Sequence, residues 1–135
     1  MVGKTHAHSD SILNLLRGVS VTNFGTTHIA LFTFAPTDTG GGTESAYGSD
    51  GRQPIIPGEW DAPINGPSIG RRILSNVPIS WTAWDGGTET MVAAGIFDIT
   101  LGGVLLYHAL LATSRTINDG ETATFAAGAL IVQED

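Results

Sequence analysis

Residues 92–97 read VAAGIF and residues 104–110 read VLLYHAL. In an extended chain, successive side chains point to opposite faces. Val92, Ala94 and Ile96 then face one way, and Ala93, Gly95 and Phe97 the other. Leu106 and Leu110 likewise oppose Leu105 and Tyr107. Both faces of both segments are apolar. A strand covered on one side only alternates apolar with polar residues. These two strands are therefore expected to be covered twice: by a second sheet on one face, and by a helix, a long loop or a partner subunit on the other.

Outward from this pair the pattern stays β. THIALFTF, residues 27–34, sets Ile29 and Leu31 against Ala30, Phe32 and Phe34. Further strands are expected over 52–56, 78–82, 89–97, 104–111, 121–126 and 129–133. Turn chemistry separates them at Pro57-Gly58, Asp85-Gly86-Gly87, Gly102-Gly103, Asn118-Asp119-Gly120 and Gly128. Many short strands with frequent turns predict an all-β fold, an antiparallel sandwich or a jelly-roll-like barrel. The segment PGEWDAPINGPSIGRRILSN, 57–76, reads as a long Pro/Gly-rich loop, and loops above about 12–15 residues usually bind something. Trp60 in it is either an interface contact or a cap on its own core. Arg71-Arg72, the only basic pair, is either a contact for an acidic partner or a solvated loop tip.

The N-terminal end is different. Residues 1–8 are polar, carry His6 and His8, and read as an extended arm lying on a neighbour. Their lack of an apolar core is unlike a signal peptide. Residues 9–18, SDSILNLLRG, predict one short helix with Ile12, Leu13, Leu15 and Leu16 on one face. Ser9 or Asp10 is its expected cap and Gly18 its expected stop. So short a helix needs tertiary support, from the body or another subunit. The expected organisation is an arm (1–8), a helix (9–18) and one β domain (19–135).

Charged residues make up only 14% of the 135, against roughly 25% in an average soluble domain. So little charge points to surface covered by a partner subunit. A net charge of −7 with six basic residues argues against nucleic acid and anionic membranes as partners. With no cysteine, disulfides and Cys-bound zinc are excluded.

The glycine-rich stretch APTDTGGGTE, residues 35–44, has no lysine after its glycines, and Glu44 would repel phosphate. Asp38 and Glu44 are too few acids for a calcium loop. It reads as a plain connection started by Pro36 and Asp38. His6 and His8 supply two possible ligands where a structural metal needs four, and His28 and His108 read as packed strand histidines. Asp85, Glu89, Asp98 and Asp119 lie at turns or strand ends, where solvated acids belong. No catalytic motif assembles, so the expectation is a non-enzyme without cofactor, metal or small-molecule substrate.

An ordered series of segments resembles a family. Leu31-Phe32-Thr33 and Ala35 to Glu44 come first, then Trp84 and Thr88. Gly95-Ile96-Phe97-Asp98, Gly102-Gly103 with Leu105-Leu106, Gly120-Glu121-Thr122, and Phe125 to Leu130 follow. Together, over about residues 11–133, they resemble small tailed-bacteriophage virion proteins often labelled tail fibre proteins. Two loops depart from the pattern. Gly48-Ser49-Asp50-Gly51 separates Tyr47 from Arg52, and Asp85-Gly86-Gly87 expands the tryptophan turn. The resemblance implies a virion structural protein assembled in the bacterial host. A fibre shaft shows periodic repeats, and none is present, so the expected role is capsid decoration. A homotrimer would bridge copies of the major capsid protein. The alternatives are a tail or fibre-base component, and a carbohydrate-binding module using Trp60, Trp81 or Trp84. The expected interface residues are His6, His8, Ile12, Leu13, Leu16, Trp60, Arg71 and Arg72.

Overall fold

The computed structural model describes residues 1, 3–21, 23–48, 51–67 and 70–134. It is an antiparallel β-sandwich with one short helix. In chain order the elements are β1 (Gly3–Lys4), α1 (His6–Asn14), β2 (Thr27–Phe34), β3 (Thr43–Glu44), β4 (Gln53–Ile55), β5 (Ile64–Asn65), β6 (Arg71–Leu74), β7 (Ile79–Trp81), β8 (Glu89–Phe97), β9 (Leu105–Ile117), β10 (Ala123–Phe125) and β11 (Ile131–Glu134). The large sheet runs β1-β9-β8-β2-β3, with β4 also on β2. Thr27 to Ile29 of β2 pair with β4, while Phe32 and Phe34 pair with β3, so the two short strands follow one another along one edge. The pair β7-β10 and the sheet β5-β6-β11 supply the rest.

The main core joins these sheets. Ile29, Leu31, Ala94, Ile96 and Leu106 of the large sheet meet Ile79, Trp81, Leu130 and Val132 in one buried cluster. The other face of the large sheet carries a second cluster of Ala30, Phe32, Ala93, Phe97 and Leu105. The two-sided covering read from the sequence is present, and the chain's own loops make the second cover. Gly95 lets that cover close. A Cβ there would stand 2.7 Å from Leu105 Cδ1 and 2.9 Å from Phe32 Cε2. The cover is incomplete, because Phe34 and Leu110 remain 69% and 72% exposed. Near that end the ladder is interrupted. Met91 pairs with Arg115 and Ala93 with Leu110, so Leu111–Ser114 stand opposite Val92 alone.

The stretch APTDTGGGTE forms part of this cover. Thr37 and Gly40 exchange two backbone hydrogen bonds of 3.0 and 2.8 Å, making a tight turn. Gly42 (φ 84°) then brings the backbone over Phe32, where a Cβ would sit 2.8 Å from Pro36 N and 2.9 Å from Phe34 O. The loop is also tied down. His6 N–H donates to the Asp38 carbonyl at 2.8 Å, and His108 Nε2 lies 3.0 Å from Asp38 Oδ1. Gly42→Ala is expected to cost about 1–3 kcal/mol, through overlap added to backbone strain. Gly40→Ala and Gly41→Ala meet open space and carry only the backbone strain, about 1–2 kcal/mol each. Thermal melts of the three variants check that order.

The N-terminal segment corrects two expectations. It lies on this chain's own strands rather than as an arm on a neighbour. The Met1 amine donates to the Ile131 carbonyl, and Gln133 N–H donates to Met1 O at 2.9 Å. Gly3 and Lys4 then pair with His108 and Tyr107. The segment thereby bridges β11 and β9, because backbone pairing needs no apolar side chain. The helix also starts at His6 rather than Ser9. Thr5, 3% exposed, accepts a hydrogen bond from His8 N–H at 3.4 Å and donates its hydroxyl to the Leu105 carbonyl. That captured cap fixes the start, and a 3-10 turn from Leu15 to Arg17 runs into Gly18 (φ 76°).

A third correction concerns 57–76. It is a short 3-10 turn at Pro57–Glu59 followed by the hairpin β5-β6, with β6 pairing onto β11. Partner strands about sixty residues away hold it, which local composition does not record. Ser68 and Ile69 of this segment, and Ser49 and Asp50 of the inserted loop, lie outside the described residues.

Candidate binding groove

A groove of about 720 Å³ opens between the large sheet and the β5-β6-β11 sheet. Four of the residues singled out in the sequence converge on it: His8, Trp60, Arg71 and Arg72. Tyr107 and Glu134 join them, and composition alone had not marked either. Each element delivers its residue for a local reason. The Thr5 cap turns His8 inward. Pairing of β1 to β9 sets Lys4 beside Tyr107, and pairing of β6 to β11 sets Arg71 beside Glu134.

A polar chain runs along one wall. Lys4 Nζ donates to Glu134 Oε2 at 2.7 Å, the Tyr107 hydroxyl donates to Glu134 Oε1, and His8 Nε2 stands 3.3 Å from that hydroxyl. The His8 ring is 5% exposed and packs edge-on against Tyr107 and tilted against Phe24. Burial, opposed by the Glu134 charge and helped by Lys4, holds the His8 pKa below its ordinary value, favouring the neutral ring. Burial and then the adjoining Glu134 carboxylate push the Tyr107 hydroxyl up, so it stays a donor. Burial disfavours the Glu134 charge, but hydrogen bonds from Lys4 and Tyr107 outweigh it and keep the carboxyl below the usual range.

Trp60 is half-buried, packs on the main core, and donates its Nε1–H to Thr27 Oγ1 at 3.3 Å. It is therefore a cap on its own core that also lines the groove. Arg71 and Arg72 are not on a loop tip. They lie in β6, where Arg71 donates to Asn65 Oδ1 at 3.0 Å and to the Pro63 carbonyl at 2.6 Å.

The other expected interface residues lie elsewhere. His6 lines a separate recess beside the glycine turn, Ile12 is half-buried, and Leu13 and Leu16 are 59% and 89% exposed. The buried residue of α1 is His8, so the leucine face does not pack on the body. Trp81 and Trp84 are each 1% exposed, which removes them as stacking platforms for a sugar. Among the described residues no three His, Asp or Glu side chains form a metal-holding group. No described helix is long and apolar enough to cross a membrane.

Glu89 overturns its reading as a solvated acid. Its carboxylate accepts from Ser45 Oγ at 2.6 Å, Ala46 N at 2.9 Å, Tyr47 N at 3.3 Å and Trp84 Nε1 at 3.2 Å. It organises a loop. Asp98 and Asp119 do the same on a smaller scale, accepting from Val104 N and Gly86 N.

Glu89, Asp98, Asp119 and Glu134 thus hold the fold, and the described residues form a small β domain with an apolar groove between its sheets. A family model described as podophage GP4 fiber I protein gp80 matches residues 3–133, and the chain belongs to that family of phage fibre and virion structural proteins. No curated protein matches the chain. The matched span begins ahead of the helix and takes in β1, so the N-terminal strand belongs to the family domain.

Proposed function

We propose that this chain is a non-enzymatic structural domain of the phage virion, seated at the base of a tail fibre and acting by fitting against neighbouring virion subunits. The match to a fibre protein family over residues 3–133 carries this reading. A base position, rather than a shaft, follows from the lack of any sequence repeat. The whole chain would act as one β domain with its N-terminal segment folded in. The side chains of the groove bond mainly to one another, as expected where the task is assembly rather than turnover. A trimer is the expected state, with tail proteins as partners.

Capsid decoration is the second reading, favoured by the exposed Leu13, Leu15, Leu16 and Val19 on a self-contained domain. Such a patch fits a broad, flat contact with a major capsid protein lattice, and many copies make modest contacts hold. Density for this fold in a virion map decides between the two. A position around the tail with bare capsid faces supports the fibre base. A position at capsid threefolds, with particles lacking the chain rupturing at lower temperature, supports decoration. Absence from the virion overturns both.

A further inference from the structure

The groove reaches into the core. Ile96, Leu106 and Val132, all buried in the main cluster, form part of its wall. Three of its polar groups are taken: Trp60 Nε1–H by Thr27, Tyr107 by Glu134, Glu134 by Lys4, while His8 Nδ1 and Arg72 Nε are buried without a partner. A sugar has more hydroxyls than these few free groups can meet, and each one buried unpaired costs about 1–3 kcal/mol. An aliphatic side chain has no such penalty, and the volume of about 720 Å³ falls in the range of ligand sites.

Two arginines stand at the same place. Among the described residues Arg71 donates to neutral oxygens, those of Asn65 and Pro63. Arg72 joins none of the ion pairs among the described residues, and its Nε–H is buried without a partner. This is notable in a chain of net charge −7. A buried donor left unmade is a standing cost that an incoming acceptor removes. Two acids also line the groove: Glu134, engaged by Lys4 and Tyr107, and Asp61. Glu134 stands opposite Arg71 on the paired strands, so its charge, already held by Lys4 and Tyr107, makes Arg72 the first seat for an anion, with Arg71 beside it.

We propose that the groove docks an extended peptide segment, setting a large aliphatic side chain between the sheets and an adjacent Asp or Glu carboxylate on Arg72 and Arg71. That the segment comes from a neighbouring virion protein rests on the function proposed above. The docking itself does not, so the two can fail separately.

The test uses the purified full chain and capped peptides Ac-Ala-Leu-Glu-Ala-NH2, Ac-Ala-Leu-Gln-Ala-NH2 and Ac-Ala-Ser-Glu-Ala-NH2, with digalacturonate as a sugar acid. Binding is read from the Trp60 indole and Arg72 Nε–H signals in NMR titrations. The Leu-Glu peptide is expected to shift both saturably. Losing one charge-assisted hydrogen bond, or the aliphatic burial, should weaken binding about tenfold in the other two peptides. Arg72→Gln should abolish the preference for Glu over Gln, Arg72→Lys should keep part of it, and Arg115→Gln on β9 should leave it intact. Equal binding of the Glu and Gln peptides overturns the proposal. So do tighter binding of digalacturonate and unmoved Trp60 signals with every peptide. If Arg72→Gln does not fold, the peptide comparison on the unmodified chain still decides.

Discussion

Replacing Arg52 with alanine is expected to lower the melting temperature by about 10 °C, a loss of about 3 kcal/mol for a domain of this size. Its side chain is 7% exposed and makes contacts with three separate segments. Nε and Nη2 hold the Glu44 carboxylate of β3 at 3.0 and 2.6 Å. Nη1 donates to the carbonyls of Ile99 and Gly102 at 2.9 and 2.6 Å, closing the β8-β9 turn. The guanidinium lies 3.3 Å from the Phe97 ring centroid, as a lid on the second cluster. Such a cation–π contact contributes about 0.5–2 kcal/mol, rising with desolvation. Alanine removes all of these and leaves Phe97 bare, while Glu44, 39% exposed, regains water and softens the loss. Arg52→Lys keeps the charge without the planar fork, so it should recover less than half. Denaturation of both variants gives the answer, and an unchanged melt for Arg52→Ala would sink the lid.

Arg52 also shows what the sequence could not convey. Its distance from Tyr47 across Gly48–Gly51 is visible as an inserted loop, but the partners of its side chain are 8, 47 and 50 residues away. Strands bounded by glycine turns and apolar on both faces were legible. Residues 27–34 and 89–97 are β2 and β8 at the expected limits. β9 was read only as far as 111, because its continuation Ala112 to Thr116 is polar and exposed. Its far end is held by pairing of Arg115 to Ile117 with Met91 to Glu89 and by the buried Ile117. β6, reading RRIL, looks like a loop until β11 is laid beside it.

The groove was half legible. Trp60, Arg71 and Arg72 stand out as residue types enriched in contacts, and His8 as an expected interface residue of the N-terminal segment. Tyr107 gave no such signal, since in VLLYHAL it reads as one more apolar strand position. Glu134 lies at the end of the chain and looks solvated until Lys4 and Tyr107 come to it. Conversely, the leucines of SILNLLRG promised a packed face, and the structure turns His8 inward instead. The docked Thr5 cap orients the helix so that His8, not the leucines, faces the body. The cap depends on the Thr5–Leu105 bond, a contact across 100 residues.

Glu89→Ala is expected to cost about 2–4 kcal/mol at neutral pH, because several donors lose one charged acceptor together. Ser45, Ala46 and Tyr47 would leave the loop that carries Tyr47 against Gly87, and Trp84 would keep a buried Nε1–H unpaired. Acid should act through the same group. Burial raises the Glu89 pKa, but the hydrogen bonds from Ser45, Ala46, Tyr47 and Trp84 outweigh it, so the folded value lies below the ordinary one. A carboxyl depressed on folding stabilises above its unfolded pKa, about 4.3, and that contribution fades as pH falls through the folded value. Glu121 and Glu134 are depressed as well, so the unmodified chain should lose stability toward acid through several groups. Glu89→Gln isolates one of them. It keeps the size and one acceptor oxygen but cannot titrate. Relative to the unmodified chain it should be less stable at pH 7 by about 1–2 kcal/mol. That gap should narrow as pH drops below about 4.3. Melting temperatures of both proteins from pH 7 to pH 3 measure the gap directly. A gap that stays constant over that range would mean that Glu89 holds the loop by its shape, not by its charge.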